Sequence, residues 1–163
     1  MTAEDLATDA SDVTVARVDP AVTHALRQRV LRPGKPVAAA VFGADADPEA
    51  AAFAARTAAG AVVGTALVHT AACPWRPGPM AWRLRAMATA PEARGRGIGA
   101  RVMAAAVAHA ADHGAEVVWC HARVPARRFY ERAGFIAHGE EWEEGDIGPH
   151  VAMSLDIAPR PTP

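Results

Sequence analysis

Apolar and polar positions alternate with period two along several stretches of the chain and switch to a helical period in others. Thr14 to Val18 (Thr-Val-Ala-Arg-Val) alternates and predicts a short strand. Asp19-Pro20 then supplies an N-cap with proline at the first helical position, predicting a helix to about Val30. Residues 31–49 carry no dominant period: Arg32-Pro33-Gly34-Lys35-Pro36 is a turn, 37–42 is apolar and 45–48 turns again, so this segment is expected as mostly loop. Ala51 to Arg56 and Ala61 to Thr70 flank Ala58-Ala59-Gly60, the pattern of an antiparallel hairpin. Beyond a proline-bearing connection, Ala81 to Thr89 sets Trp82, Leu84, Ala86 and Ala88 against Arg83, Arg85 and Met87, a strand with one apolar face. Ile98 to His113 is the strongest helical pattern, closed by Gly114 as its C-cap. Val117 to His121 has the character of a buried strand, and Pro125 to Ala133 that of a helix stopped by Gly134. Phe135 to Glu141 and Val151 to Ile157 read as two strands joined by an acidic, glycine-containing stretch. The order β-α-loop-β-β-β-α-β-α-β-β predicts one mixed α/β sheet, parallel only where helices cross over. Residues 13–158 are expected to form a single domain, with 1–12 a disordered leader and 159–163 a flexible tail.

Composition narrows the partners. With 51% hydrophobic and 21% charged residues in 163, the chain can bury the core of one ordinary domain. Its net charge of −1 shows no basic excess, so nucleic acid is not an expected partner. Cys73 and Cys120 lie far apart with no secretory signal, which predicts reduced thiols and a cytoplasmic location. No apolar run approaches the ~20 residues a bilayer span needs, so no membrane partner is expected.

The most informative chemistry is Arg94-Gly95-Arg96-Gly97-Ile98-Gly99, between a strand and the strongest helix. Alternate glycines tolerate the positive-φ turns that aim several backbone N–H groups inward together. The helix behind them adds its free N–H groups and positive dipole end, and two arginines add charge. Together these make a pyrophosphate pocket. The run also matches a dinucleotide fingerprint, but the next strand ends Trp119-Cys120-His121 without the ribose-binding acid, and a hairpin precedes it. No Gly-Lys-Ser/Thr follows, so it is not a Walker loop.

This block resembles the Arg/Gln-x-x-Gly-x-Gly/Ala loop of the GNAT N-acetyltransferase superfamily. A second block, Ala126-Arg127-Arg128-Phe129-Tyr130-Glu131-Arg132-Ala133-Gly134-Phe135, is similar to that family's Ala-x-x-Phe-Tyr-x-x-x-Gly-Phe segment. Asp146 to His150, through Met153, resembles the closing strands of a small bacterial branch, and the likeness covers roughly residues 14–157. It implies a mixed, mostly antiparallel sheet with splayed central strands, flanked by helices. It also implies acetyl-CoA as co-substrate, with Arg94, Gly95, Arg96, Gly97, Ile98 and Gly99 on its pyrophosphate. Met87, Ala88 and Thr89 would pair with the pantetheine amides, and Arg123, Arg127 and Arg128 would lie near the distal part of CoA. Tyr130, the only tyrosine, falls where the family keeps a phenol facing the thiolate. An amine of a small molecule, peptide or protein would attack directly, with neither acetyl-enzyme nor metal. The rival reading is a catalytically idle acyl-CoA-binding sensor or partner protein.

The residues leave the general base open among Glu92, His121, His150, Glu140 and a water chain. His109 and His113 share a helix face at a spacing two zinc ligands could use, although no third ligand is apparent. The acidic run Glu140 to Asp146 would draw a cationic amine, whereas Arg83 and Arg85 suit an acceptor bearing a carboxylate. The acceptor therefore stays open, as does homodimer formation.

Overall fold

The computed structural model describes residues 12–159. The expected leader and tail lie outside these, apart from Asp12 and Pro159. Seven strands form one sheet: β1 (Thr14–Val18), β2 (Ala51–Arg56), β3 (Val62–Thr70), β4 (Ala81–Thr89), β5 (Val117–Arg123), β6 (Ile136–Glu144) and β7 (Gly148–Asp156). Three α-helices accompany it: α1 (His24–Leu31), α2 (Ile98–Asp112) and α3 (Arg127–Arg132). The sheet order is β1-β2-β3-β4-β5-β7-β6. Every neighbouring pair is antiparallel except β4–β5, which the α2 crossover joins in parallel.

Local differences from the expected elements have physical causes. Asp19 caps the Ala21 N–H as its sequence predicts, but Pro20–Thr23 winds as a tight 3-10 turn and the α-helix starts at His24. The expected loop before β2 contains two 3-10 turns, Val37–Ala40 and Gly43–Ala46. The second is held by the Asp45 carboxylate, which accepts from the Phe42 N–H. The acidic run belongs mostly to β6, and a turn over Gly145–Ile147 replaces the longer link.

Ile98, Val102, Met103, Ala106 and Ala110 of α2 enter the main core with Trp82, Leu84, Val118 and Met153. A smaller cluster joins Ala50, Ala52, Leu67 and Ala86, with Phe42 packed on it. Ala86 thus parts company with Trp82 and Leu84, contrary to the alternation read from sequence. Pairing jumps from Leu67↔Arg85 to Thr65↔Ala88, so β4 carries an extra residue, and Ala86 takes φ +55°. A bulge inverts the parity of the strand residues beyond it, and Met87 packs on the main core instead. Thr65 pins the bulge by donating its hydroxyl to the Ala86 carbonyl at 2.8 Å.

Candidate active site

β4 and β5 pair only at Ala81↔Val117, Trp82↔Val118 and Arg83↔Trp119. Both strands continue but diverge, so β4 from Leu84 to Thr89 has no ladder partner on its β5 side. A cleft of about 890 Å³ opens there. Its wall brings together Met87, Ala88 and Thr89 of β4, the turn residues Arg94, Gly95, Gly97, Ile98 and Gly99, and Arg123 and Tyr130. Of the residues expected to hold the cofactor, Arg96 is not on this wall.

The turn is shaped by its glycines. Gly95 and Gly97 take φ +78° and +75°, and Gly97 is the N-cap of α2. A Cβ at either would meet nothing within 4 Å, so their outer sides are open. With no side chain at the cap, the first N–H groups of α2 are left for an anion. Gly99 serves packing instead: a Cβ there would stand 3.0 Å from Thr89 Oγ1 and 3.3 Å from the Phe129 ring. That close approach seats α2 against β4 and α3. The cleft therefore fits a pyrophosphate at the turn and an extended arm along β4.

A second cavity, of about 220 Å³, adjoins the cleft and shares Leu31, Met87, Arg123, Ala126, Tyr130 and Ile147 with it. Its remaining wall includes Arg32, Phe42, Arg83, Arg85, His121, Glu144 and His150. Tyr130 stands at the junction, 7% exposed, with edge-on contacts to Phe129 and Phe135. Burial raises the pKa of its phenol, Cys120 adds to that, and Arg123 opposes it. The phenol stays protonated at neutral pH. Arg123 is tied down by donating to the Leu31 carbonyl at 2.8 Å.

Geometry sorts the base candidates. Glu92 is on the surface, paired with Arg29 at 2.7 Å, and that contact lowers its carboxyl to about 2. Glu140 lines neither cavity. His121 and His150 both reach the second cavity. Arg83 Nη2 lies 3.3 Å from His121 Nδ1, so the imidazole acceptor nitrogen already faces a guanidinium. Loss of solvation, then the Arg83 charge, lowers the His121 pKa. His150 is arranged the other way: Nδ1–H donates to the Gly148 carbonyl at 2.9 Å, leaving Nε2 as the acceptor. Glu144 was legible only as part of an acidic run; here its carboxylate accepts from the Trp142 indole and lines the cavity. Burial pushes the Cys120 thiol up to about 12, so it is no nucleophile at neutral pH.

Other singled-out residues lie elsewhere. His109 and His113 stack at 4.1 Å beside Trp82. Arg127 pairs with Glu131 on α3, and Arg128 is on neither cavity wall. No helix of the described residues is long and apolar enough to cross a membrane.

The sheet opens between β4 and β5 with the uncapped N-terminal end of α2 at the gap, and comparison with known proteins places this fold. Residues 21–135 match the acetyltransferase (GNAT) family, and the chain belongs to that family, whose co-substrate is an acyl-CoA. It is 34% identical over 73 residues to the uncharacterised N-acetyltransferase YitI of Bacillus subtilis. The match covers 45% of this chain and 49% of that one, so the chain spans about half the length of this curated relative. Among solved structures, a protein of Lactobacillus plantarum assigned as an N-acetyltransferase superposes with a TM-score of 0.74 at 22% identity, over 90% of this chain and 99% of the other. A Corynebacterium glutamicum protein, described as histone acetyltransferase HPA2 and related acetyltransferase, gives 0.71 at 22% identity over 93% and 99%. At such identities the likeness establishes the fold, including the splayed central strands.

Proposed function

We propose that the protein transfers the acetyl group of acetyl-CoA to an amine by direct attack. The observation that carries this reading is the junction: one cleft with a pyrophosphate turn and one small polar cavity meet at Met87 and Tyr130. The unpaired edge of β4 offers main-chain groups to the pantetheine amides, as an added strand would. The Gly95–Gly97 turn and Arg94 receive the phosphates. The bulge at Ala86 interrupts the pairing of β4 with β3 between Arg85 and Ala88, and an N–H of this segment polarises the thioester carbonyl.

His150 Nε2 takes a proton from the acceptor ammonium, whose nitrogen lone pair then attacks the acetyl carbonyl carbon. The carbon–sulfur bond breaks as the C–N bond forms, the Tyr130 hydroxyl protonates the departing thiolate, and the second proton of the acceptor nitrogen passes through solvent to restore the phenol. The high thiol pKa of Cys120 disfavours a covalent detour. His121 acts at one remove, positioning Arg83.

The test is thiol release from acetyl-CoA with a panel of amines. His150→Asn keeps a donor for the Gly148 carbonyl and removes the accepting nitrogen, so kcat should fall by roughly 10²–10⁴ with acetyl-CoA affinity retained. Binding of acetyl-CoA without thiol release for any amine would favour the idle binder and overturn the transferase.

A further inference from the structure

Three guanidiniums surround one phenyl ring on the second cavity. Arg85 lies 4.9 Å, Arg27 5.2 Å and Arg32 5.7 Å from the centroid of Phe42. Their charges are handled differently. Arg27 is fully buried and neutralised by Asp45, whose two carboxylate oxygens lie 2.9 and 2.8 Å from its Nη1. Arg32 and Arg85 line the cavity and have no carboxylate within ion-pair distance among the described residues. Arg83, two residues along β4, likewise has none. Two like charges beside one ring, half removed from water, are an arrangement that an arriving anion relieves. Arg85 shows the strain: desolvation, then the Arg32 charge, lowers its pKa. The one carboxylate on the cavity wall, Glu144, belongs to the His121–His150 side instead. The cavity is thus two-ended, with an unpaired cationic end at Phe42 and a carboxylate-and-imidazole end beside β7.

We propose that the acceptor is a small free amino acid, its carboxylate held by Arg85 and Arg32 beside Phe42 and its amine presented toward His150. This rests on the transferase reading and specifies its substrate. A guanidinium fork matches a carboxylate. Arg32 gives one Nη1 donor to the Leu31 carbonyl at 2.8 Å, which steadies the fork and leaves its other donors for the ligand. A plain alkylamine or a polyamine brings only positive charge to a wall that already carries it. A peptide N-terminus brings an amide where the site offers charged donors.

The experiment compares the twenty common L-amino acids with their carboxamides, in two readouts on the same protein. With acetyl-CoA, thiol release gives kcat/KM; with CoA bound, the melting-temperature shift gives binding without turnover. At least one acid should exceed its carboxamide by roughly 10- to 100-fold in kcat/KM, the weight of a charge-assisted contact. It should also stabilise the CoA-loaded protein where its carboxamide does not. Arg85→Gln should narrow that preference to within a few fold while the acetyl-CoA-induced stabilisation persists, which shows that the variant is folded. Equal use of acid and carboxamide, or turnover of alkylamines but of no amino acid, overturns the carboxylate site. If no amine releases thiol, the transferase reading has failed. The carboxylate site is then judged by binding alone, and no acid-over-carboxamide stabilisation overturns it too.

Discussion

The cleft between β4 and β5 centres on backbone features, a glycine turn, a helix end and an unpaired strand edge within residues 87–99, and is walled by side chains of α1, α2, β5, α3 and the β6–β7 region. The cavity beside it is built of charged and aromatic side chains from α1, the loop after it, β4, β5, β6 and β7. A backbone site recognises what every acyl-CoA shares, and its donors cannot be changed by substituting side chains. A side-chain site recognises what differs between acceptors, and one substitution alters it. Under the proposed transfer, one chain fixes its donor and leaves its acceptor adjustable, with Tyr130 on both walls.

The largest effect should come at that shared wall. Tyr130→Phe removes one hydroxyl and keeps the ring contacts with Phe129 and Phe135. Single-turnover and steady-state thiol release should show kcat lower by roughly 10²–10⁴, with acetyl-CoA affinity nearly unchanged. Acetylation at the wild-type rate would reduce Tyr130 to a packing aromatic.

Asp45→Asn probes the side-chain site alone. It leaves the buried Arg27 charge without its counter-ion, which should cost about 3–5 kcal/mol in denaturant unfolding. The acetyl-CoA-induced rise in melting temperature should survive. Burial raises the Asp45 carboxyl pKa, but the Phe42 N–H, Arg27 and His24 outweigh it, and the net shift is downward from 3.8. A depressed carboxylate stabilises fully above its unfolded-state pKa and loses that contribution as pH falls through the lower folded value. Wild type should therefore weaken below about pH 4 more steeply than Asp45→Asn. Parallel acid profiles would mean that the pair contributes nothing.

Gly97→Val probes the backbone site. A β-branched residue at φ +75° is strained by about 1–3 kcal/mol and its side chain would enter the open phosphate space. Calorimetry should show acetyl-CoA affinity falling at least roughly tenfold in a protein that remains folded. Wild-type affinity would be fatal to the pyrophosphate turn.

The smallest effect should be at His121. His121→Asn keeps an acceptor near the position of Nδ1 for the Arg83 guanidinium, so kcat should drop by less than about tenfold. A loss as large as that of His150→Asn would move the base to His121.

Legibility in the sequence divides along the same line. The turn proposed for the pyrophosphate is contiguous, and Gly95 and Gly97 signal it because few other residues tolerate a positive φ, whereas Gly99 is kept small by packing. The Phe-Tyr block on α3 is contiguous too. The second cavity escaped because Phe42 and Arg32 come to one end of it through the 3-10 turns before β2, and Glu144 to the other through the tight β6–β7 turn, and neither leaves a periodic trace. The bulge at Ala86 was equally hidden. Alanine is not a residue whose sequence context announces a left-handed conformation, so simple alternation assigned it to the wrong face. Among the base candidates, only hydrogen-bond geometry distinguishes His150, held by Gly148, from His121, which faces Arg83.

The parting of β4 from β5 after Arg83 leaves two interior edges facing a gap, an uncommon state for strands in the middle of a sheet. Under the proposed transfer, an extended acyl-CoA arm lying against β4 would behave as an eighth strand, lent to the protein for each turnover. The bare protein is then a sheet in two halves, hinged where Ala81 to Arg83 still pair, and the loaded protein is closer to one continuous sheet. Amide exchange at Met87 to Thr89 should slow when CoA binds, and the spread between the halves should narrow. Release of the spent carrier would reopen that seam, so the pace of the cycle would depend on how readily a sheet gives back a borrowed strand.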